Sequence, residues 1–556
     1  MPASSWSALG AAKARLRFLR GLRPSFDAPA LRGLTPGVLA IAFVPFLWPL
    51  VRLEMHEPLF SDTLVFQYQA WCIRHGLHLY RDVGTADGPF INYLQAAIQV
   101  FSGLSDHGFR KADLVFQGAG GAAIGAIVAP AIDPRRSVRW LHRLAWAAAA
   151  GSLWLAWYLT IEWEGTTQRE GFYAVFGSLG LVLAYTSGRQ SRSWSTAAIV
   201  ASAALATTQV FGKPTGVMYP ALAALTVLMP NAGATVPWMA RLRLFAIGVG
   251  VTLAIVVITL LVSGSISGYL LWCVRIPYRG NAFLFRMDWR AYVWTTYWDP
   301  FKRMTGCAFI GGIAAIGAGI LPGRALALTL FPPLAMLSAC LQARGYNYHA
   351  TPAYAAVHVL FLVIVAALWE QPEGRPWSEG RQWAAAVALS FLGYYGFCNL
   401  QESHYRWDGH PETWTAPKPY LEGDRDVGRY LNLHTKPDDW VFVYNPLGNS
   451  HVVLLAAERR TASPFFHRYW LDPVGLLSAP ESKMQPTPAE LEALTKLQKD
   501  IRAMACAAVI DHRPAAIAFT TLDQGFEECS LLRRSLARDF REVTIINSHH
   551  IYLRKN

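Results

Sequence analysis

The chain has 556 residues, 53% of them hydrophobic and only 16% charged, with 21 tryptophans. A soluble protein carries about a quarter charged residues, so an ordinary soluble globule is excluded. The mean hydropathy of +0.23 is nevertheless low for a chain wholly immersed in lipid, which calls for a sizeable polar part. The formal charge of +13 does not point to nucleic acid, because the basic residues gather between apolar runs, the bias that sets membrane orientation.

Residues 1–35 are basic, with Lys13, Arg15, Arg17, Arg20, Arg23 and Arg32, and show no small-residue cleavage site; a cytoplasmic lead-in is expected. Stretches of about 20 apolar residues cross hydrocarbon as helices. Eleven segments qualify, at 36–53, 113–131, 144–161, 172–188, 195–211, 216–230, 244–263, 306–321, 325–341, 353–369 and 383–399. Alternate connections are basic (133–143, 188–194, 240–243, 322–324 and 379–381), which predicts an inside N-terminus and, with an odd number of spans, an outside C-terminus. The expected fold is a polytopic α-helical membrane protein: a segment 1–35, a transmembrane domain 36–400 and a small α/β domain 401–556.

The first outer loop, 54–112, is too polar for lipid and carries Glu54, Glu57, Asp62, Asp82 and Asp87. Leu64, Tyr68, Trp71 and Cys72 fall on one helical face; Leu94, Ile98 and Phe101 do the same after Pro89. Both helices are expected to lie flat at the membrane surface, apolar side down. The other polar stretches fall on the same side: EWEGTTQRE (162–170), GKPTG (212–216), 263–305, RGYNYHATP (344–352) and everything after about residue 401.

In the last part, DDWVFVYN (438–445) reads as a turn and strand, 486–504 as a helix, 505–511 as a buried strand and 531–540 as a helix. Residues 542–555 read as a hairpin about Asn547-Ser548. Alternating strands and helices suggest a small α/β domain without a glycine-rich phosphate loop. Cys506 and Cys529 are either a disulfide or two buried thiols, and no Cys or His spacing argues for a metal.

Several motifs occur in order on one side of the membrane. They are Asp62 shortly after the first span, G-x-x-x-Y-R-D from Gly76 to Asp82, Gly88-Pro89, KPTG, YNYHATP and the D-W-V-F-V strand. Together they resemble the GT-C superfamily of polyprenyl-phosphate-sugar-dependent glycosyltransferases, nearest the protein-mannosyltransferase and lipid A aminoarabinose-transferase-like branch. The resemblance implies an enzyme of the bacterial inner membrane. It would move a sugar from a lipid phosphate to an acceptor hydroxyl of a lipid, glycan or protein on the outer face, with inversion.

An acceptor hydroxyl needs a base, and Asp62 occupies the matching position; Thr63 stands where the family often has Glu. The alternative is that Asp62 caps a helix starting at Thr63. Asp82 either orients the acceptor or holds the loop through Arg81 or Arg74. Of Glu162, Glu164 and Glu170, one is expected to face the cavity, and Glu164 is the choice. The leaving phosphate calls for fixed cations, for which Lys213, Arg275, Arg279, Arg344 and His349 are candidates. Lys213 reads also as a snorkelling interfacial lysine, and His349 as an interfacial anchor. Trp272, Tyr278, Trp289 and Trp294 line a groove or form an interface belt. A monophosphate donor can be handled by Lys and Arg, so no cofactor is expected. The rival classes are a transporter or lipid flippase and a non-catalytic envelope scaffold. The absence of an internal repeat and the gathering of charge in outer loops favour the enzyme.

Overall fold

The computed structural model describes residues 29–129, 136–161, 165–188, 191–229, 235–277, 300–342, 347–369, most of 379–394, 421–444, 449–466, 471, 474, 486–520 and 529–555. Helix α1 (Pro29–His56) contains Pro36, Pro45 and Pro49. Each proline removes an amide donor, and the helix bends by 55° between Thr35–Ala42 and Leu47–His56. Two loop helices follow, α2 (Ser61–Arg74) and α3 (Pro89–Ser102). The helical body continues with α4 (Asp106–Val128), α5 (Arg136–Tyr158), α6 (Arg169–Thr186), α7 (Arg192–Thr208), α8 (Met218–Leu228), α9 (Trp238–Val262), α10 (Pro300–Gly317), α11 (Leu326–Gln342) and α12 (Thr351–Trp369).

Every candidate span from 36–53 to 353–369 coincides with a helix, while 383–399 falls partly outside the described residues. By length and composition alone, four helices among the described residues are apolar enough to cross a membrane: Arg192–Phe211, Trp238–Val262, Gly323–Gln342 and Tyr348–Trp369; the bent α1, taken as one span, makes a fifth. Helices α4 and α5 are not among them, and they carry a polar set that pairs internally. Tyr158 OH donates to Asp113 Oδ2 at 2.7 Å, and Trp154 Nε1 to Gln117 Oε1 at 3.0 Å. These two helices approach closely where a Cβ on Gly121 would overlap Trp154 and one on Gly125 would overlap Ala150. Helix α12 is buried on nearly every side and forms the centre of the bundle. Helix α9 instead leaves Ile247, Ile255, Ile258 and Val262 exposed, a surface suited to hydrocarbon rather than water.

The C-terminal part holds α13 (Glu422–His434), β1 (Trp440–Tyr444), α14 (Ser450–Ala457), β2 (Arg460–Thr461), α15 (Pro488–His512), β3 (Ala516–Phe519), α16 (Ser530–Asp539), β4 (Phe540–Ile546) and β5 (His549–Arg554). The sheet order is β2-β1-β3-β5-β4. Strand β1 runs parallel to β2 and β3, and β5 runs antiparallel to β3 and β4. The hairpin turns at Asn547 and Ser548, both with positive φ (46° and 61°), as a two-residue turn matched to strand twist requires. Residues 505–511 are not the strand expected but the end of α15. Ala505 and Val509 continue the buried face of Leu494, Leu497 and Ile501 at helical spacing, so the alanine-rich run propagates the helix. Cys506 and Cys529 are joined as a disulfide, with Cα atoms 5.9 Å apart, and tie α15 to the start of α16.

The C-terminal unit sits directly on the first outer loop. Tyr68 OH donates to the Arg459 carbonyl at 3.1 Å, and its ring meets Phe466 edge-on. Arg425 Nη2 donates to Asp106 Oδ2 at 2.7 Å, and the Gly84 amide to the Pro464 carbonyl at 3.1 Å. The apolar face of α2 is therefore covered by protein rather than laid on lipid: Leu64, Tyr68, Trp71 and Cys72 are all buried in a core shared with Val453 and Leu454 of α14. Helix α3 is turned the other way. Its Asn92, Gln95 and Gln99 are buried, with Gln67 Nε2 donating to Gln95 Oε1 at 2.7 Å and Gln99 Nε2 to Gln67 Oε1 at 3.0 Å. Leu94 and Ile98 pack partly inward, and Phe101 is 89% exposed.

Candidate functional site

The first outer loop is fastened to the second by one buried arginine. Arg110 of α4 forms an ion pair with Glu54 and donates through Nε to the Glu57 carbonyl at 2.7 Å and through Nη1 to Thr166 Oγ1 at 2.9 Å. Thr166 Oγ1 in turn donates to Glu54 Oε1 at 2.5 Å. Next to Thr166, Thr167 Oγ1 lies 3.1 Å from Thr63 Oγ1 of α2. The start of α2, which carries Asp62, is thereby set beside the start of α6, which carries Glu170.

Helix α2 begins at Ser61 after Phe60, so Asp62 lies inside the first turn and is not the cap that the sequence pattern also allowed. Asp62 Oδ2 accepts from the Tyr348 hydroxyl at 3.0 Å. Tyr348 stacks edge-to-face on His349 in a short turn (Asn347–Ala350) that leads into α12. His349 Nε2 lies 3.8 Å from Glu170 Oε1. That same oxygen receives Lys213 Nζ at 2.8 Å and Arg169 Nε at 3.2 Å, and Arg169 also pairs with Asp87. Residues of four polar stretches, 54–101, 162–170, 212–216 and 344–352, thus meet in one continuous cluster.

Glycine permits two of these approaches. A Cβ on Gly88 would overlap the Phe211 carbonyl, so the first loop touches the turn before Lys213, and a Cβ on Gly212 would overlap the Tyr173 ring. Burial pushes the Glu170 carboxyl upward, but the charges of Lys213, Arg169 and His349 outweigh it and hold the group well below the usual carboxylate range. Beside Lys213 lies a narrow, partly open cleft of about 20 Å³, room for about one water molecule, bounded by Glu170, Tyr173, Gln209, Tyr219, Gln342 and His349.

Not every residue singled out by sequence joins this cluster. Asp82 grips Arg81 with both oxygens, at 2.9 Å each, and accepts the His78 amide at 2.8 Å. It sits in a tight turn rather than with Asp62. Burial raises its pKa, but the Arg81 and His78 hydrogen bonds prevail and lower it. Arg275 is exposed at the end of a π-helical turn (Leu270–Arg275) and does not line the cleft. Trp272, on the same turn, is buried against Phe465 and is not part of an interface belt. Glu162, Glu164, Tyr278, Arg279, Trp289, Trp294 and Arg344 lie outside the described residues. Of the three acids of the second outer loop, Glu170 is the one described within the cluster. Arg169, Asp87 and Tyr348 had no assigned role from sequence; the adjacent Arg169-Glu170 pair in a polar loop was the available signal. Among the described residues no group of three or more His, Cys, Asp or Glu is placed to hold a metal ion.

No family model and no curated protein matches the chain. Among solved structures, the chain is similar to the crystal structure of ArnT from Cupriavidus metallidurans bound to undecaprenyl phosphate. The identity is 14%, the match covers 93% of this chain and 97% of that one, and the TM-score is 0.41. A likeness at that level lends no residue assignment to this chain.

Proposed function

We propose that the chain is a GT-C-type glycosyltransferase of the bacterial inner membrane, transferring a sugar from a polyprenyl phosphate to an acceptor hydroxyl with inversion. In this reading eleven spans within 36–400 carry the catalytic part, the N-terminus is cytoplasmic, and the domain 401–556 covers the loops in the periplasm. The observation that supports it most is the joining of Asp62, through Tyr348 and His349, to the buried Glu170–Lys213–Arg169 cluster.

The chemistry divides between the two ends of that chain of contacts. Asp62 takes the proton of the acceptor hydroxyl as its oxygen attacks the anomeric carbon. The bond from that carbon to the phosphate oxygen breaks on the opposite face, and the polyprenyl phosphate leaves with the electron pair. Lys213, Arg169 and His349 meet the charge that grows on it. An arginine has five N–H donors, so the bonds of Arg169 to Glu170 and Asp87 leave donors for the phosphate, and Lys213 adds a fixed positive charge. Glu170 is poorly suited to be the base, because the same cations that hold it ionised lower its affinity for a proton. Its place is to fix Lys213 and Arg169.

The test uses purified protein in proteoliposomes with a panel of polyprenyl-phosphate sugars and an envelope extract. Release of free polyprenyl phosphate with one donor, lost in Asp62→Asn while donor binding persists, is the expected result. Release that survives Asp62→Asn removes Asp62 as base, and no donor binding at all removes the transferase reading.

A further inference from the structure

The second polar loop turns at a residue whose backbone is unfavourable on its own. Thr167 has a φ of 62°, in the left-handed region, and is fully buried. A β-branched residue is a genuine outlier there, and such a conformation persists only where its surroundings impose it. Here the surroundings act on both its amide and its hydroxyl. The Thr167 amide donates to Tyr158 OH at 2.7 Å. Tyr158 spends its own proton on Asp113 Oδ2 at 2.7 Å, so its oxygen faces Thr167 as an acceptor. Gln117 Nε2 donates to the other Asp113 oxygen at 3.3 Å and steadies that carboxylate. Thr167 Oγ1 donates to the Thr166 carbonyl at 2.5 Å, which leaves it to accept from Thr63 Oγ1 at 3.1 Å. The Tyr158 ring passes over Gly171, where a Cβ would stand 3.1 Å from it.

Thr167 also stands between the two ends of the chemistry set out above. Thr63 is the neighbour of Asp62 in the first turn of α2, and Arg169 and Glu170, which open α6, follow Thr167 closely in the chain. We propose that Tyr158, oriented by Asp113, is a positioning residue: by holding Thr167 left-handed it sets Asp62 against the Glu170–Arg169–Lys213 group. The inference rests on the transferase reading for what is positioned. It adds residues of the helical body, on α4 and α5, to a site otherwise built from loops. Both act through Thr167 and not on the reacting atoms. A base or cation displaced by a fraction of its reach costs rate steeply while the donor still binds, because reaction needs a near-attack geometry.

The test uses Tyr158→Phe, which removes one hydroxyl and keeps the ring, in the full chain in nanodiscs. Hydrogen exchange read by mass spectrometry should accelerate roughly tenfold in peptides covering 165–171 and the start of α2, the scale of one lost hydrogen bond, with α9 and α12 unchanged. Transfer is followed as polyprenyl phosphate release from undecaprenyl phosphate carrying glucose, mannose, arabinose or glucosamine. It should fall by about 10- to 100-fold, with affinity for the same lipid kept within about twofold. Thr167→Asn supplies a residue that tolerates the left-handed backbone. In that background Tyr158→Phe should cost at most about threefold in rate, because the turn no longer depends on the hydroxyl. A merely structural tyrosine would cost the same in both backgrounds. Equal losses in both, an unchanged rate and exchange in Tyr158→Phe, or acceleration spread evenly over α9 and α12 each overturn the inference. Accelerated exchange confined to the two loops, with no transfer by the parent protein from any of these lipids, sustains the coupling and removes the transferase reading. If Tyr158→Phe fails to fold, Thr63→Val decides. It keeps the size of the side chain and removes the hydroxyl that reaches Thr167, so it should loosen the start of α2 and slow transfer. No change in either overturns the inference.

Discussion

Lys213 and Glu170 meet at 2.8 Å, the lysine from the turn after α7 and the glutamate from the first turn of α6, with the carboxylate only 2% exposed. A carboxylate so deeply placed stays ionised only because its partners are charged, and those partners are held in place by it.

Removing one member of a buried ion pair costs about 3–5 kcal/mol when the other is left alone, and Arg169, which stays beside Glu170, keeps the loss at or below the lower end of that range. Lys213→Met and Glu170→Gln should each lower stability on that scale. The double variant should cost less than the sum of the two, by about 1 kcal/mol or more, because neither charge is then left alone. Thermal unfolding in one detergent across the four proteins checks the coupling.

The pH dependence has a definite sign. Burial raises the Glu170 pKa, but Lys213, Arg169 and His349 bring it well below the ordinary 4.5. A depressed carboxylate adds stability above its unfolded pKa, and that stability is lost as pH falls toward the folded value. The gap between the parent protein and Glu170→Gln should be constant above pH about 5 and shrink below 4.5, by at most about 1.4 kcal/mol per pH unit. Unfolding temperatures of both proteins at pH 7, 4 and 3 measure it.

Arg110→Met should release the first outer loop from the second. It leaves Glu54 buried without its cation and removes donors from the Glu57 carbonyl and Thr166, so a loss of about 3–5 kcal/mol is expected. Protease cleavage within 54–112 should accelerate in this variant, which a purely global destabilisation would not confine to that loop.

Asp62→Asn should reduce transfer by about 10²–10⁴, the range of a lost general base, with donor affinity kept. Tyr348→Phe should act more weakly, since it removes one hydrogen bond to Asp62 and leaves the carboxylate in place. Initial rates of polyprenyl phosphate release measure both.

Much of the architecture was legible as pattern. Asn547-Ser548 between alternating runs marks a hairpin because both residues tolerate positive φ, and the apolar segments coincide with helices where described. The limits were physical. Residues 505–511 satisfy a short buried strand and a helix end equally well, and only continuity with Leu494, Leu497 and Ile501 decides for the helix. The faces of α2 and α3 were visible, but what covers a face is a long-range fact. Tyr68 is capped by Arg459 and Phe466, while α3 buries the polar side that a periodicity reading assigns to water. Asp62, Lys213 and His349 could be assigned to one side by charge bias, but that Lys213 and His349 meet at Glu170 and Asp62 at Tyr348 is a long-range fact that no local pattern carries.

The contact between Tyr68 and Arg459 joins residues 391 positions apart. Translation at about 5–20 residues per second separates their appearance by roughly 20–80 s. During that interval the face of Tyr68, Trp71 and Leu64 has left the ribosome while its cover does not yet exist. The loop that bears Asp62 is thus among the first parts made and among the last to be finished. A chain stopped after α2 and before α14 would carry this apolar surface without its cover.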